Sequence, residues 1–224
     1  MSKITVLLLI TAAIAFPAGA ARTAGPVSLE SVVKKVQQKQ RATRTLQADF
    51  RQEKELALLA KPEVSSGRFL FSQPNNVLWT YDAPKRVQML ISSGTLTTYY
   101  PELKKAERVD VKRFEDRIFK YMGASGTLEE LARYFDFTFT DRATEPSYRL
   151  DLKPKTAAVA RRVKSIRIWI DKKEYVTTRI EYVEGDGDVT RYHFSNIRIN
   201  EPVAQSRFVL SLPPTVKVEQ MKIQ

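Results

Sequence analysis

The sequence predicts a mainly β (α+β) protein: an incomplete antiparallel β-barrel of about eleven strands with an N-terminal helix and short lid helices. Three observations carry this reading. From Gly67 to Val111, short aromatic and aliphatic segments alternate with turn residues five times, the pattern of a β-meander. A second series of strand-like segments runs from Phe137 to Ile199. Between the two series lies a stretch whose apolar residues follow a helical period. Too many strands of the first series are apolar for a sheet with one ordinary wet face, which predicts a curved sheet around an apolar interior.

Residues 1–20 read as a signal peptide. Lys3 supplies the positive start, Ile4 to Ile14 the apolar core, and Ala18-Gly19-Ala20 a small-x-small cleavage site. That run falls short of the ~20 apolar residues needed to span a bilayer. The mature chain, residues 21–224, is then expected to be one exported domain. No cysteine is present in the 224 residues, so disulfides cannot staple the fold, and there is no cysteine after the leader to carry a lipid anchor.

Val27 to about Arg44 reads as a helix. Ser28 can cap it, and Leu29, Val32, Val33 and Val36 form one stripe opposite Lys34, Lys35, Gln38 and Lys39. From Thr45 the period becomes two, with Leu46, Ala48 and Phe50 on one face. Lys61-Pro62 and Ser65-Ser66-Gly67 are expected to break the chain. Strands follow at Arg68–Ser72, Val77–Tyr81, Arg86–Ile91, Thr95–Tyr100 and Ala106–Val111. Phe69 with Phe71, and Val77 with Trp79 and Tyr81, share faces and are candidate wall residues of the interior.

Phe114, Ile118, Phe119 and Met122 lie near one face of a short helix. Gly123 and Gly126 interrupt it, and Thr127 with Glu130 opens a second helix as a capping box, carrying Leu128, Leu131, Tyr134 and Phe135. Two amphipathic helices inside a β-run need a surface on which to bury, which makes them a candidate lid. Strands resume at Phe137–Thr140, Tyr148–Lys153, Val163–Asp171, Tyr175–Glu184 and Val189–Ile199. Apolar parity flips between Phe194 and Ile197, which predicts a bulge near Ser195-Asn196. The tail from Phe208 ends at Pro213-Pro214.

Lysine and arginine total 37 against 25 acidic residues, a net charge of +12. An exported chain argues against nucleic acid, leaving anionic headgroups, acidic partners or a generally basic surface. His193 is the single histidine and sits mid-strand, facing away from Tyr192 and Phe194, without a second ligand for a metal. The chain carries no GxSxG, HExxH, P-loop or dinucleotide-binding glycine pattern. Neither an enzyme nor a cofactor is expected. On pattern alone, the apolar faces fit a filled core or a cavity awaiting a guest.

Four segments carry a resemblance to the outer-membrane lipoprotein carrier proteins (LolA-type). Leu46-Gln-Ala-Asp-Phe50-Arg-Gln52 resembles the family's first strand. Gly67-Arg-Phe-Leu-Phe-Ser-Gln-Pro74-Asn75 with Leu78-Trp79 is similar to its G-x-L/F-x-x-x-R-P-N-x-x-x-W block. Ile91-Ser-Ser-Gly94 through Tyr99-Tyr100-Pro101 resembles its V-S-D-G-x-x-L-W-x-Y-x-P. Phe208-Val-Leu-Ser-Leu-Pro-Pro-Thr-Val216 resembles its closing F-x-F-x-P-P-x-G-V. Gln73 stands where the family often has an arginine that ties lid to barrel. The resemblance implies a monomeric periplasmic carrier, no enzyme, whose interior shelters lipoprotein acyl chains between the two membranes of a Gram-negative cell. It also implies an ATP-driven inner-membrane complex that releases the cargo and an outer-membrane acceptor. By position, Leu46, Phe50, Val77 and Trp79 would line the interior. A carrier of another lipid, or a module with a filled barrel, remains the alternative.

Overall fold

The computed structural model describes residues 27–57, 61–112 and 128–221. Ser28 caps α1 (Leu29–Ala42) as its sequence predicts, its hydroxyl accepting from the Ser31 N–H at 3.2 Å. Ser28→Ala should therefore cost about 1 kcal/mol, a fall of roughly 2–4 °C in the thermal midpoint for a domain this size. The strands of the first series are β1 (Thr45–Glu55), β2 (Glu63–Ser72), β3 (Asn76–Ala83), β4 (Val87–Ser92), β5 (Thr95–Tyr100) and β6 (Lys105–Asp110). The second series holds α2 (Leu128–Tyr134), β7 (Phe135–Thr140), β8 (Ser147–Pro154), α3 (Ala157–Ala160), β9 (Val163–Asp171), β10 (Thr177–Glu184) and β11 (Val189–Ile199), and β12 (Lys217–Met221) follows.

All twelve strands among the described residues form one sheet, in the order β12-β6-β5-β4-β3-β2-β1-β11-β10-β9-β8-β7. Each series is a plain meander, and the two join where β1 pairs with β11. The outermost strands, β12 and β7, are not neighbours, so the sheet stays open. The β1–β11 register shifts opposite Gln47/Asp49, and Asn196 there has φ 49° and donates to Asp49 at 2.7 Å. This is the bulge that the parity flip predicts.

Several boundaries differ from the sequence reading. Ser65, Ser66 and Gly67 do not break the chain; they lie within β2, paired to Gln52, Arg51 and Phe50 of the long β1. A ready ladder of partners outweighs their turn preference. Phe135 begins β7 rather than continuing α2, because its backbone pairs with Pro154. Tyr175 precedes β10, in a turn with φ 56°. The chain also continues past Pro213-Pro214 into β12, which pairs parallel with β6. Phe114, Ile118, Phe119 and Met122, the Gly123/Gly126 hinge and the signal peptide lie outside the described residues.

The apolar surplus of the first series has a direct explanation: β2, β3 and β4 are buried on both faces. Phe69, Phe71, Val77, Trp79 and Ile91 face inward. Leu70, Leu78 and Leu90 face outward, where Phe208 of the C-terminal segment covers them with Val203 and Leu210 packed alongside. The helix α1 crosses the other half, burying Val32 and Val36 against Leu150, Leu152 and Ile170.

Five charged residues stand in a cross-strand row on the outer face. Glu53, Arg191, Glu181, Arg167 and Asp151 are consecutive register partners across β1, β11, β10, β9 and β8, alternating in sign. Glu181 at the centre is 6% exposed. It accepts from Arg167 Nη1 and from Arg191 Nε, each at 2.7 Å. Burial pushes the Glu181 carboxyl upward, but the Arg191 hydrogen bond and the charges of Arg167 and Arg179 outweigh it, and the net shift is downward. Its contribution to stability is then complete above the ordinary carboxylate range and is lost as pH falls through the lower folded-state value. Glu181→Ala leaves these arginines without their shared partner. It should cost about 3 kcal/mol at neutral pH, the low end for a broken buried pair because Arg167 is half exposed. Urea titration at pH 7 and pH 3 should show the difference between the two proteins shrinking at the lower pH.

Candidate functional site

Inward-facing residues of both meanders meet under α1. The seven wall candidates read from the first series, Leu46, Phe50, Phe69, Phe71, Val77, Trp79 and Tyr81, all fall in one apolar cluster, with Leu46 and Tyr81 at its partly exposed margin. Register explains the grouping. Leu46 pairs with Phe71, Ala48 with Phe69, Phe69 with Trp79 and Phe71 with Val77, so alternate residues stack on one face across β1, β2 and β3.

Trp79 is the hub. Phe50 and Phe69 each approach it with ring centroids 4.8 Å away, Tyr192 at 5.6 Å, Phe194 at 6.1 Å and Tyr81 at 6.4 Å. Phe50 stands edge-on to Trp79 and Tyr81, and Gly67 directly opposite leaves the space for its ring. These are the offset and edge-to-face arrangements that aromatic quadrupoles favour.

Two adjoining cavities open on this cluster. The larger, about 420 Å³, lies between Trp79, Tyr81 and Met89 on one side and Ile166, Ile168 and Ile180 on the other, with Leu128 and Leu131 of α2 at its margin. The smaller, about 80 Å³, runs beneath the end of α1, past Leu46, Phe69, Phe71 and Ile197. They share a wall of Val36, Gln40, Trp79, Thr177, Ile180 and Phe194. The lining is largely apolar, as in sites for hydrophobic ligands, and the larger volume lies within the ~300–1,000 Å³ common for such sites.

Of the sequence candidates, Trp79 lines both cavities, Leu46, Phe69 and Phe71 the smaller, and Tyr81 the larger. Phe50 and Val77, 3% and 0% exposed, pack behind the wall rather than on it. Leu128 and Leu131 reach the larger cavity. The sequence reading missed the contributions of α1 and of β9–β11. The signal was present: Ile166, Ile168 and Ile170 share a face, as do Tyr192 and Phe194, and the register carries that face from Phe50 to Phe194 across β1–β11 and from Tyr192 through Ile180 to Ile168 across β11–β10–β9.

Phenols stand among the greasy residues. Burial pushes the Tyr192 hydroxyl far above the ordinary phenol range, and its neighbours Tyr81 and Tyr182 add to the shift. Burial also raises Tyr81, partly offset by its hydrogen bond to Tyr192. Tyr81 and Tyr192 therefore stay neutral and keep their protons at physiological pH. His193 faces outward, and burial together with Arg179, Arg51 and Arg191 depresses its pKa. It lines neither cavity.

The roof over the smaller cavity is tied down at its edges. Lys35 donates to the Tyr175 hydroxyl at 2.8 Å, and Lys39 pairs with Glu174 at 2.8 Å. Gln73 Nε2 donates to the Thr43 carbonyl at 2.9 Å, fastening the β2–β3 turn to the C-terminal end of α1. No described helix is long and apolar enough to cross a membrane.

Known proteins share both sequence and fold. The family described as "Outer membrane lipoprotein carrier protein LolA" matches residues 41–211. A protein of Methylococcus capsulatus named outer-membrane lipoprotein carrier protein is 31% identical over 186 residues, covering 81% of this chain and 84% of its own. Among solved structures, an uncharacterized conserved protein from Thermus thermophilus superposes with a TM-score of 0.58 at 9% identity, covering 86% of this chain and 98% of its own. A crystal structure of MucB superposes with a TM-score of 0.52 at 12% identity, covering 84% of this chain and 64% of its own. These two likenesses concern the fold. The family is one of carriers rather than catalysts, and with most of its length matched and a relative above 30% identity, this chain belongs to the LolA family of outer-membrane lipoprotein carrier proteins.

Proposed function

We propose that this chain shelters the acyl chains of lipoproteins in its apolar cavity and carries them through the periplasm from the inner to the outer membrane. In this reading residues 1–20 are removed on export, and residues 21–224 travel as one soluble domain without a lipid anchor. An ATP-driven inner-membrane complex loads it and an outer-membrane acceptor unloads it. The observation that carries the proposal is the pair of adjoining cavities walled by Trp79, Phe194 and Ile180 inside an open sheet.

The physics fits the task. Each methylene withdrawn from water gains about 0.8 kcal/mol. A sixteen-carbon chain left in the aqueous space would therefore cost on the order of 12 kcal/mol. A carrier must also let go, so the wall cannot bind maximally. Partly exposed wall residues such as Leu46, Leu131 and Ile180 give a surface that is apolar yet reachable.

The absence of native cysteine makes a clean test available. An environment-sensitive fluorophore on Leu131→Cys should shift to the blue when a triacylated lipopeptide is added, and stay unchanged with the same peptide lacking its acyl chains. Equal responses to both peptides, or none, would contradict the proposal.

A further inference from the structure

Two residues of the shared cavity wall each hold a buried polar atom without a partner among the described residues: the indole Nε1 of Trp79 and the carboxamide Oε1 of Gln40. Trp79 is 7% exposed. The rings around it offer little. Phe50, Phe69 and Phe194 carry no acceptor oxygen. An indole N–H can only donate, and a carboxamide oxygen can only accept. A buried donor and a buried acceptor left unmade are costly, and native proteins rarely keep them. Here one of each belongs to a side chain that lines the same apolar space.

We infer that Trp79 and Gln40 form a polar reading pair for the linkage group of the cargo, and that the group they fit is a secondary amide, as found in an N-acyl chain. The amide carbonyl accepts from Trp79 Nε1, and the amide N–H donates to Gln40 Oε1. An ester satisfies only Trp79. An ether offers a weak acceptor and satisfies neither well. The apolar wall then holds the chain while this pair selects how the chain is attached. The inference rests on the carrier reading and names the chemical class of its guest.

Three probes of matched length test it: N-methylhexadecanamide, methyl hexadecanoate and hexadecyl methyl ether. Their affinities are measured by displacement of a fluorescent fatty-acid analogue from the full mature protein. Trp79→Phe should lower the preference for amide and ester over ether about tenfold. Gln40→Leu should lower the preference for amide over ester about tenfold. Preferences unchanged in either variant would overturn the inference while leaving the carrier reading standing. Failure of the wild-type protein to bind any of the three would overturn both.

A second measurement avoids reliance on the variants. The chain has two tryptophans, so its indole N–H region holds two signals, and Trp169→Phe assigns them. The Trp79 signal should move downfield when the amide probe binds. A Trp79 signal that stays in place while the probe is bound would overturn the inference.

Discussion

Gly67→Val should cost about 3 kcal/mol, one of the largest losses expected for a single added side chain in this fold. A Cβ at this position would lie 1.9 Å from the Thr80 carbonyl oxygen and 3.0 Å from Cε1 of Phe50. Neither contact can simply relax. Thr80 is backbone in the neighbouring strand, at a point where the β2–β3 register shifts between Ser66 and Gly67. Phe50 is held edge-on by Trp79 and Tyr81. Yielding on one side breaks the ladder, and yielding on the other opens the aromatic cluster. Ser66→Val is the control, because Ser66 is exposed and the same β-branched side chain there should change stability by less than about 0.5 kcal/mol. Urea denaturation of the two variants separates steric conflict from strand propensity.

Ile180→Glu should abolish lipid binding while leaving a folded protein. Ile180 lies on the wall shared by both cavities and is only partly buried. Water can reach a carboxylate at this partly exposed position, so the cost in stability should stay near 1–2 kcal/mol, in the ordinary range for a single substitution. Covering that carboxylate with an acyl chain removes its water and gives nothing back, a penalty of several kcal/mol. Affinity for a triacylated lipopeptide should fall at least a hundredfold, read from the Leu131→Cys fluorophore. A variant that binds like the parent would show that the acyl chains lie elsewhere.

The meanders were legible because period-two alternation and the turn residues between strands are local signals. Thr95–Tyr100, Val163–Asp171 and Val189–Ile199 match their sequence-predicted bounds. So was the bulge at Asn196, since a bulge must flip parity. What failed was decided at a distance. Ser65-Ser66-Gly67 read as a break, yet they are strand because β1 is long enough to pair with them. The outward leucines Leu70, Leu78 and Leu90 looked like surplus apolar surface until Phe208, far along the chain, proved to cover them.

The candidate site divides in the same way. Seven wall candidates were legible as one cluster from the parity of β1, β2 and β3. Their division into cavity wall and supporting layer was not, because Phe50 and Val77 have the same parity as Trp79 and differ only in depth. Nor could any local pattern show that Gln40, on the helix, would share a cavity with Trp79, on β3.

Lipoprotein carriage is tested most directly by native mass spectrometry of the protein taken from the periplasm of a Gram-negative host without detergent. Carriage of lipoproteins in this cavity predicts adducts whose masses and fragments are those of acylated peptides, present on the parent protein and absent from Ile180→Glu. Bare protein, or adducts of free lipid alone, would contradict it.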